Sequence, residues 1–372
     1  MPIGFEITFF LYAISWAIFS IIRPASTRLA LFFLAIFNLF VIFFSSAILF
    51  FYLLSQIFLV VVIYYGARLF PVSWQGFFPW FAFAGLIPLN VQAYFGQQLE
   101  LTKALYPLSS ISLPNMFWYL GASFFVIKSF VALKESMRER QFDFLAILNG
   151  LTFFPAFPAG PIYGSHPFSE RNIASHLGRE EAMISLAKIG WGAAAFYVIA
   201  PKLRKLVAQM PDDLIGNVGE IYLGLAALYF DFSGYSLIAI GAAALFGVTL
   251  PTNFNRPYLA TSIREFWQRW HMSLNWFVGT YLFKPFVRNT GMPRVGIFLA
   301  FVFVGLWHKV SLGYLLWGIG HGVALSLAMR PPLPWRKASE LLPVWMMNFA
   351  GWFMTISWVG LLSWTATVLL KV

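Results

Sequence analysis

The sequence predicts an all-α integral membrane protein of about ten to twelve membrane segments, several short, tilted or re-entrant, around a central cavity or tunnel. Three observations carry that prediction. Of 372 residues, 60% are hydrophobic, 20% aromatic and only 10% charged, where a soluble domain has about 25% charged residues. Apolar windows recur along the whole chain, at 5–22, 29–65, 77–95, 113–131, 183–200, 218–250, 266–283, 295–307, 310–329 and 344–370. The 25 basic residues outnumber the 14 acidic ones and cluster between windows, as they do in loops on the cytoplasmic side of a membrane.

Residues 1–22 contain Glu6 and no basic leader, so a retained first helix is expected rather than a cleaved signal, and the mature chain is expected to be the whole chain. The 29–65 run has 37 residues, about twice what one crossing needs, which places a turn at Ser45–Ser46 between two helices. Arg23, Arg28, Arg68 and the basic groups at 134–140 and 256–269 are expected on the cytoplasmic side, with the N-terminus outside. Basic residues at 179–188 and 202–205 flank one apolar stretch on both sides. Either a neighbouring segment there is re-entrant or that stretch does not span.

Residues 151–162, LTFFPAFPAGPI, are apolar but hold three prolines and a glycine. Proline removes backbone donors and breaks helices, and irregular backbone at membrane depth must be buried in protein or line a water-filled cavity. The stretch is therefore a re-entrant cavity wall or an interfacial loop held by Phe153, Phe154 and Phe157. Further on, Asp231 lies within the 33-residue run 218–250. A carboxylate in such a run must be paired or hydrogen-bonded, so anchoring to an arginine of the 256–269 group is expected ahead of acid–base work.

Residues 256–275 are the richest in chemistry. Ser262 and Glu265 fit a capping box that starts a helix near Ile263. A continuous helix would bring Arg264, Gln268, His271 and Asn275 within about 60° of one another, beside an apolar stripe of Ile263, Trp267, Trp270 and Leu274. Such a helix suits the membrane interface, with tryptophans at headgroup level, or the polar lip of a tunnel that draws in an anionic carrier. His321 sits near the centre of the uncharged segment 310–329, flanked by Gly318, Gly320 and Gly322. A group that can carry a proton is costly at membrane depth and marks a functional site. The glycines leave space for substrate or allow close helix packing.

The sequence also excludes chemistry. With no cysteine there is no disulfide, thiolate nucleophile, Cys-ligated zinc or palmitoylated cysteine. His166, His176, His271, His308 and His321 form no His-Glu-x-x-His pattern, and no phosphate-cradling Gly-x-x-x-x-Gly-Lys loop is present, so neither a metal site nor ATP hydrolysis is expected. No internal repeat or linker divides the chain, so a single membrane domain over 1–372 is expected. No nucleic-acid partner is expected.

Several segments together resemble the membrane-bound O-acyltransferase family: PAGPI at 158–162, YFDFSGYS at 229–236, GVTLPTNFNRPY at 247–258, SIREFWQRWHMSL at 262–274, GLWH at 305–308 and WGIGHG at 317–322. They lie in family order within about residues 150–325 and are similar to the bacterial branch that serves alginate O-acetylation and teichoic acid D-alanylation. The resemblance implies that His321 is the family's near-invariant catalytic histidine. It makes His271 the second conserved polar position, often asparagine elsewhere, and His308 a histidine common in this branch. Lys309 stands where alginate-type relatives have glycine, Gly279 stands where an arginine is usual, and a Gly-Gly-Asn-Arg stretch is missing. These departures bear on the donor and the accessory partner.

The resemblance implies an O-acyltransferase of the bacterial inner membrane that acts on a cell-envelope polysaccharide or other polymer. Acyl transfer from a thioester to a hydroxyl needs a group to take the hydroxyl proton and a donor for the oxyanion. His321 is expected as the general base, with His271 positioning the donor or polarising its carbonyl. Candidate substrate-binding residues are Arg264, Gln268, Asn275, His308, Trp267 and Asp231. No permanently bound cofactor is expected. The donor substrate is acyl-CoA or an acyl-carrier-protein thioester, the group is expected to be acetyl, and the partners are the lipid bilayer and an extracytoplasmic acyl-relay or acetylation protein. Without a cysteine or a serine nucleophile elbow, direct transfer is expected rather than an acyl-enzyme. The competing readings are a transporter that relays protons through His321 and Asp231, and an inactive scaffold.

Overall fold

The computed structural model describes residues 5–45, 47–86, 115–157, 160–173, 177–330 and 341–368. Among these residues every regular element is a helix, with no strand, as an apolar chain must be when its backbone groups can be satisfied only within each segment. Among the described residues, four helices are long and apolar enough to cross a membrane: Thr27–Phe44, Phe50–Ala67, Arg179–Val207 and Leu214–Leu245. Leu11–Ile22, Pro293–His308 and Leu312–Ala328 are shorter apolar helices. Val344–Val368 forms a further helix of 25 residues.

The 29–65 run is two helices, Thr27–Ser45 and Ala47–Ala67; Ser46, half of the expected turn, lies outside the described residues. The stretch flanked by basic residues is one helical run of 29 residues, Arg179–Val207, with a π-helical segment at Ala194–Ile199. In the 77–95 window the described part is a 3-10 helix, Phe78–Gly85, and residues 87–95 lie outside the described set. So do Pro158 and Ala159 of the first family-like segment, and His176.

The chain forms two compact units, residues 1–190 with 238–251 and residues 191–237 with 252–372. In the first, Phe19, Phe153, Phe168 and Phe246 form a wholly buried aromatic cluster. Ring centroids lie 5.2 Å apart for Phe19 and Phe246, 6.0 Å for Phe153 and Phe246, and 5.2 Å for Phe153 and Phe168. The proline-rich stretch enters this core. The Phe144–Thr152 helix, capped by Asp143 accepting from the Ala146 amide at 3.0 Å, gives way to a single 3-10 turn at Phe154–Ala156. Phe153, Phe157 and Ile162 are buried and Phe154 is half-buried, so the described part of the stretch packs against protein. One carbonyl freed by the broken helix, that of Ala156, accepts from Nζ of buried Lys128 at 2.6 Å, which also lies 4.3 Å from the Tyr163 ring centroid. The Lys128 side chain thus supplies the hydrogen bond that the broken helix lacks.

In the second unit, the pair Pro293–His308 and Leu312–Ala328 packs tightly, and Val344–Val368 lies against the latter. The 266–283 window, expected as one membrane segment, is instead broken into Ile263–Arg269, Met272–Val278 and a π-helical turn at Gly279–Phe283. That break shapes the surroundings of His271.

Because Phe246 joins the first unit's core while Phe81 is exposed, Phe246→Ala should lower stability by about 3–5 kcal/mol and Phe81→Ala should change it little. Unfolding in mixed micelles, followed by tryptophan fluorescence, measures both.

Candidate functional site

The site grows from Asn253, which is buried in a loop facing residues 269–273. The backbone of the two segments is laced together: the Asn255 amide donates to the Arg269 carbonyl at 2.9 Å, and the Met272 amide donates to the Asn253 carbonyl at 2.9 Å. In a continued helix Met272 would have donated to Gln268. The helix therefore stops. Trp270 is extended and His271 takes a left-handed conformation with φ 45°, and a second helix begins at Met272. The expected single face of Arg264, Gln268, His271 and Asn275 does not exist. Arg264, Gln268 and Asn275 are exposed, whereas His271 is buried.

The first helix begins as expected at Ser262, whose hydroxyl accepts from the Glu265 amide at 3.2 Å. The reciprocal bond is displaced by one residue: the Glu265 carboxylate accepts from the Thr261 amide at 2.7 Å. It also pairs with Arg269 at 2.5 Å. The Thr261 amide first, and then the Thr261 hydroxyl and Arg269, hold the Glu265 carboxyl below its usual range against the opposing effect of burial.

The Asn253 side chain organises the second family-like position. Its Oδ1 accepts from the Ser273 hydroxyl at 2.8 Å and the Ser273 amide at 3.3 Å, and lies 3.0 Å from His271 Nδ1. Its Nδ2 donates to Ser236 Oγ at 3.0 Å. The edge-to-face ring of Phe232, 4.7 Å away, packs against His271. Sequence reasoning misses Asn253, although it stands within the GVTLPTNFNRPY segment; a carboxamide in an apolar loop is the available signal.

His321 is fully buried on the Leu312–Ala328 helix, inside a cage of Trp267, Trp317 and Phe301 with ring centroids 5.0, 4.6 and 6.1 Å away. Trp267 Nε1 donates to His321 Nδ1 at 3.3 Å. Nε2 has no hydrogen-bond partner among the described residues. His308 ends the neighbouring helix and meets the edge of Trp317 at 5.7 Å.

The glycines around His321 serve packing. A Cβ on Gly318 would come 2.6 Å from the Phe301 carbonyl oxygen, one on Gly320 2.7 Å from Leu362, and one on Gly322 3.0 Å from the Phe298 backbone. Each lets a helix approach its neighbour. Asp231 pairs with Arg204 at 2.7 Å, not with an arginine of the 256–269 group. Arg269 in that group is already paired with Glu265, while Arg204 lies on the helical run that packs along the Asp231 helix, as the backbone of Gly192 against Gly234 shows.

Residues 215–364 match the model of the membrane-bound O-acyltransferase family. The chain is similar to a teichoic acid D-alanyltransferase of Bacillus subtilis, 28% identical over 57% of this chain and 59% of the relative. It is similar to a peptidoglycan O-acetyltransferase of Helicobacter pylori, 28% identical over 74% of this chain and 54% of the relative. A probable alginate O-acetylase of Pseudomonas aeruginosa is 30% identical over 56% of this chain and 42% of the relative. The chain thus spans about half the length of the curated relatives it matches.

Removing the Asn253 side chain strands several buried donors at once, so Asn253→Ala should cost about 1–3 kcal/mol or more. Asp231→Ala breaks a half-exposed ion pair and should cost under about 1 kcal/mol. Thermal unfolding of the two variants in one detergent ranks them.

Proposed function

We propose that this chain is a membrane-embedded O-acyltransferase that moves an acyl group, acetyl by our reading, from an acyl-CoA or acyl-carrier-protein thioester to a hydroxyl of an envelope polymer or of a relay partner. The observation that supports this best is the burial of both motif histidines, His321 and His271, in polar contacts of their own within the family-matched region. Two titratable rings suffice for such chemistry when no thiol is available: one takes the hydroxyl proton, the other supports the carbonyl oxygen as it becomes negative. The sequence ranks His321 first among them.

The transfer balances without an acyl-enzyme. The acceptor O–H gives up its proton, the oxygen bonds to the thioester carbon, the C–S bond breaks, and the proton ends on the departing sulfur. A desolvated site strengthens each of these contacts and keeps water from competing for the thioester. Arg264 and Gln268 are exposed on the Ile263–Arg269 helix, and Arg264 belongs to none of the ion pairs among the described residues. A guanidinium there suits the phosphates of an incoming donor. Asn275 is exposed beyond the break, and His308 packs against Trp317, whose ring also meets His321. Donor entry from the cytoplasmic side of a bacterial inner membrane and delivery to an acceptor outside complete the reading. The transporter alternative has less support, since Asp231 is held by Arg204.

In proteoliposomes supplied with labelled acetyl-CoA and a short acceptor glycan, His321→Ala should lose at least about 100-fold in transfer rate while eluting as a folded protein. Equal transfer by wild type and variant would remove His321 from the chemistry; proton flux that depends on His321 with no acyl transfer would favour transport.

A further inference from the structure

A basic pocket lies where an apolar helix of the first unit ends. The helix Ala47–Ala67 contains a stretch, Phe50–Ala67, that is long and apolar enough to cross a membrane. Tyr64 and Arg68 at its end line a pocket of about 180 Å³ together with Gln75, Met137 and Arg140. Arg140 comes from the end of a second helix, Asn115–Glu139. Both arginines are exposed, and neither belongs to an ion pair among the described residues. Glu139, the carboxylate next to Arg140 in the chain, is taken up by His166 at 2.8 Å and Arg138 at 3.3 Å. Two guanidiniums that line one pocket with no carboxylate between them repel each other and favour an anion there.

Local contacts hold each arginine in place. The Arg68 guanidinium lies 5.5 Å from the Tyr64 ring centroid, and that ring packs on Phe142 at 4.5 Å. Gln75 Nε2 donates to the Phe70 carbonyl at 3.1 Å. Lys134 Nζ donates to the Gly76 carbonyl at 2.6 Å, which ties the single turn Val72–Gln75 to the Asn115–Glu139 helix. Arg140 follows that helix with φ 55°, and the Gln141 amide donates back to the Ser136 carbonyl at 3.2 Å. In a helix ending of this kind the left-handed position is usually glycine. An arginine there bears a steric cost that glycine would avoid, and what it adds is a guanidinium at the pocket.

We infer that this pocket binds the phosphate of an anionic phospholipid. The apolar surface around it favours a lipid over a free anion. Phe51, Leu54, Phe58, Val62 and Tyr65 are exposed at intervals of three and four residues, which makes one apolar stripe along the helix that ends beside Arg68. Acyl chains of a lipid whose phosphate sits between Arg68 and Arg140 lie along that stripe. Past the helix end, Leu69, Trp74 and Phe77 are 85, 62 and 68% exposed, as apolar and aromatic side chains at headgroup level are. A basic pocket at the end of a membrane helix is suited to an anionic headgroup, whereas a soluble anion would need none of the surrounding apolar surface. The pocket residues lie outside the family-like segments, so the inference is independent of the acyl-transfer reading.

Native mass spectrometry of the full chain, released from an uncharged detergent, tests this with phosphatidylglycerol, phosphatidylcholine, inorganic phosphate and acetyl-CoA as separate ligands. Wild type should hold one phosphatidylglycerol more tightly than it holds phosphatidylcholine. The Kd for that lipid should rise at least about tenfold in the double variant Arg68→Gln with Arg140→Gly. Glycine suits position 140 and Arg68 is exposed, so the double variant should unfold at the wild-type temperature in lipid-free detergent. Arg68→Gln alone, which leaves the helix end at 140 untouched, should raise the Kd at least about threefold. Equal phosphatidylglycerol binding by wild type and both variants, or phosphatidylcholine bound as tightly as phosphatidylglycerol, overturns the proposal. Inorganic phosphate bound as tightly as the lipid overturns it in favour of a free-anion site. Acetyl-CoA binding that is lost in the variants while phosphatidylglycerol binding is kept overturns it in favour of a soluble anionic donor.

Discussion

The obligation to satisfy every polar group inside an apolar environment governs the second unit, and most of it converges on Asn253. A buried carboxamide carries four hydrogen-bonding positions, and here its oxygen collects Ser273 twice and His271 once while its nitrogen is bound to Ser236. Its backbone carbonyl takes the Met272 amide as well. These bonds can exist only if the helix that starts at Ile263 stops before Trp270. The break is thus a result of satisfying the loop and not a fault in the helix. A non-glycine residue in the left-handed region costs about 1–2 kcal/mol, and His271, with φ 45°, is held there because several neighbouring bonds would be lost if it relaxed.

Breaking that helix also separates functions that one face would have combined. Arg264 and Gln268 stay at the exposed surface, where a guanidinium keeps its charge at little cost, while the imidazole of His271 turns inward. Trp267 turns inward too, and its indole meets His321 on the Leu312–Ala328 helix. The approach of the two helices that bear His308 and His321 depends on glycine: a Cβ on Gly305 would meet the Tyr314 carbonyl, and one on Gly318 would meet the Phe301 carbonyl. Close backbone approach of this kind is how helices associate where burial from water supplies no drive.

Much of this is legible in the chain. Composition and apolar windows identify a helical membrane protein because a bilayer admits few alternatives, and the doubled length of 29–65 correctly implies two helices. Ser262 marks a helix start for a local reason, and local reasons survive folding. Sequence reasoning fails where a distant segment intervenes. Nothing within 262–275 reveals that Asn253 intercepts Met272, so an unbroken helix is the natural expectation. The need of Asp231 for a cation is readable from its apolar surroundings, but choosing Arg204 over the 256–269 group requires knowing which helices lie side by side. The glycines flanking His321 fit two readings until the Phe301 and Phe298 backbones and the Leu362 side chain are in view.

The histidines show how far a residue's identity is from its role. Both rings are buried, both stand in family-like segments, and the sequence can rank them only by resemblance. The structure separates them through the group that faces Nδ1: the Trp267 indole at His321 and the Asn253 side chain at His271. Burial alone would treat the two rings alike, because both are buried. A neutral imidazole always has one donor and one acceptor nitrogen, so fixing one end dictates the other.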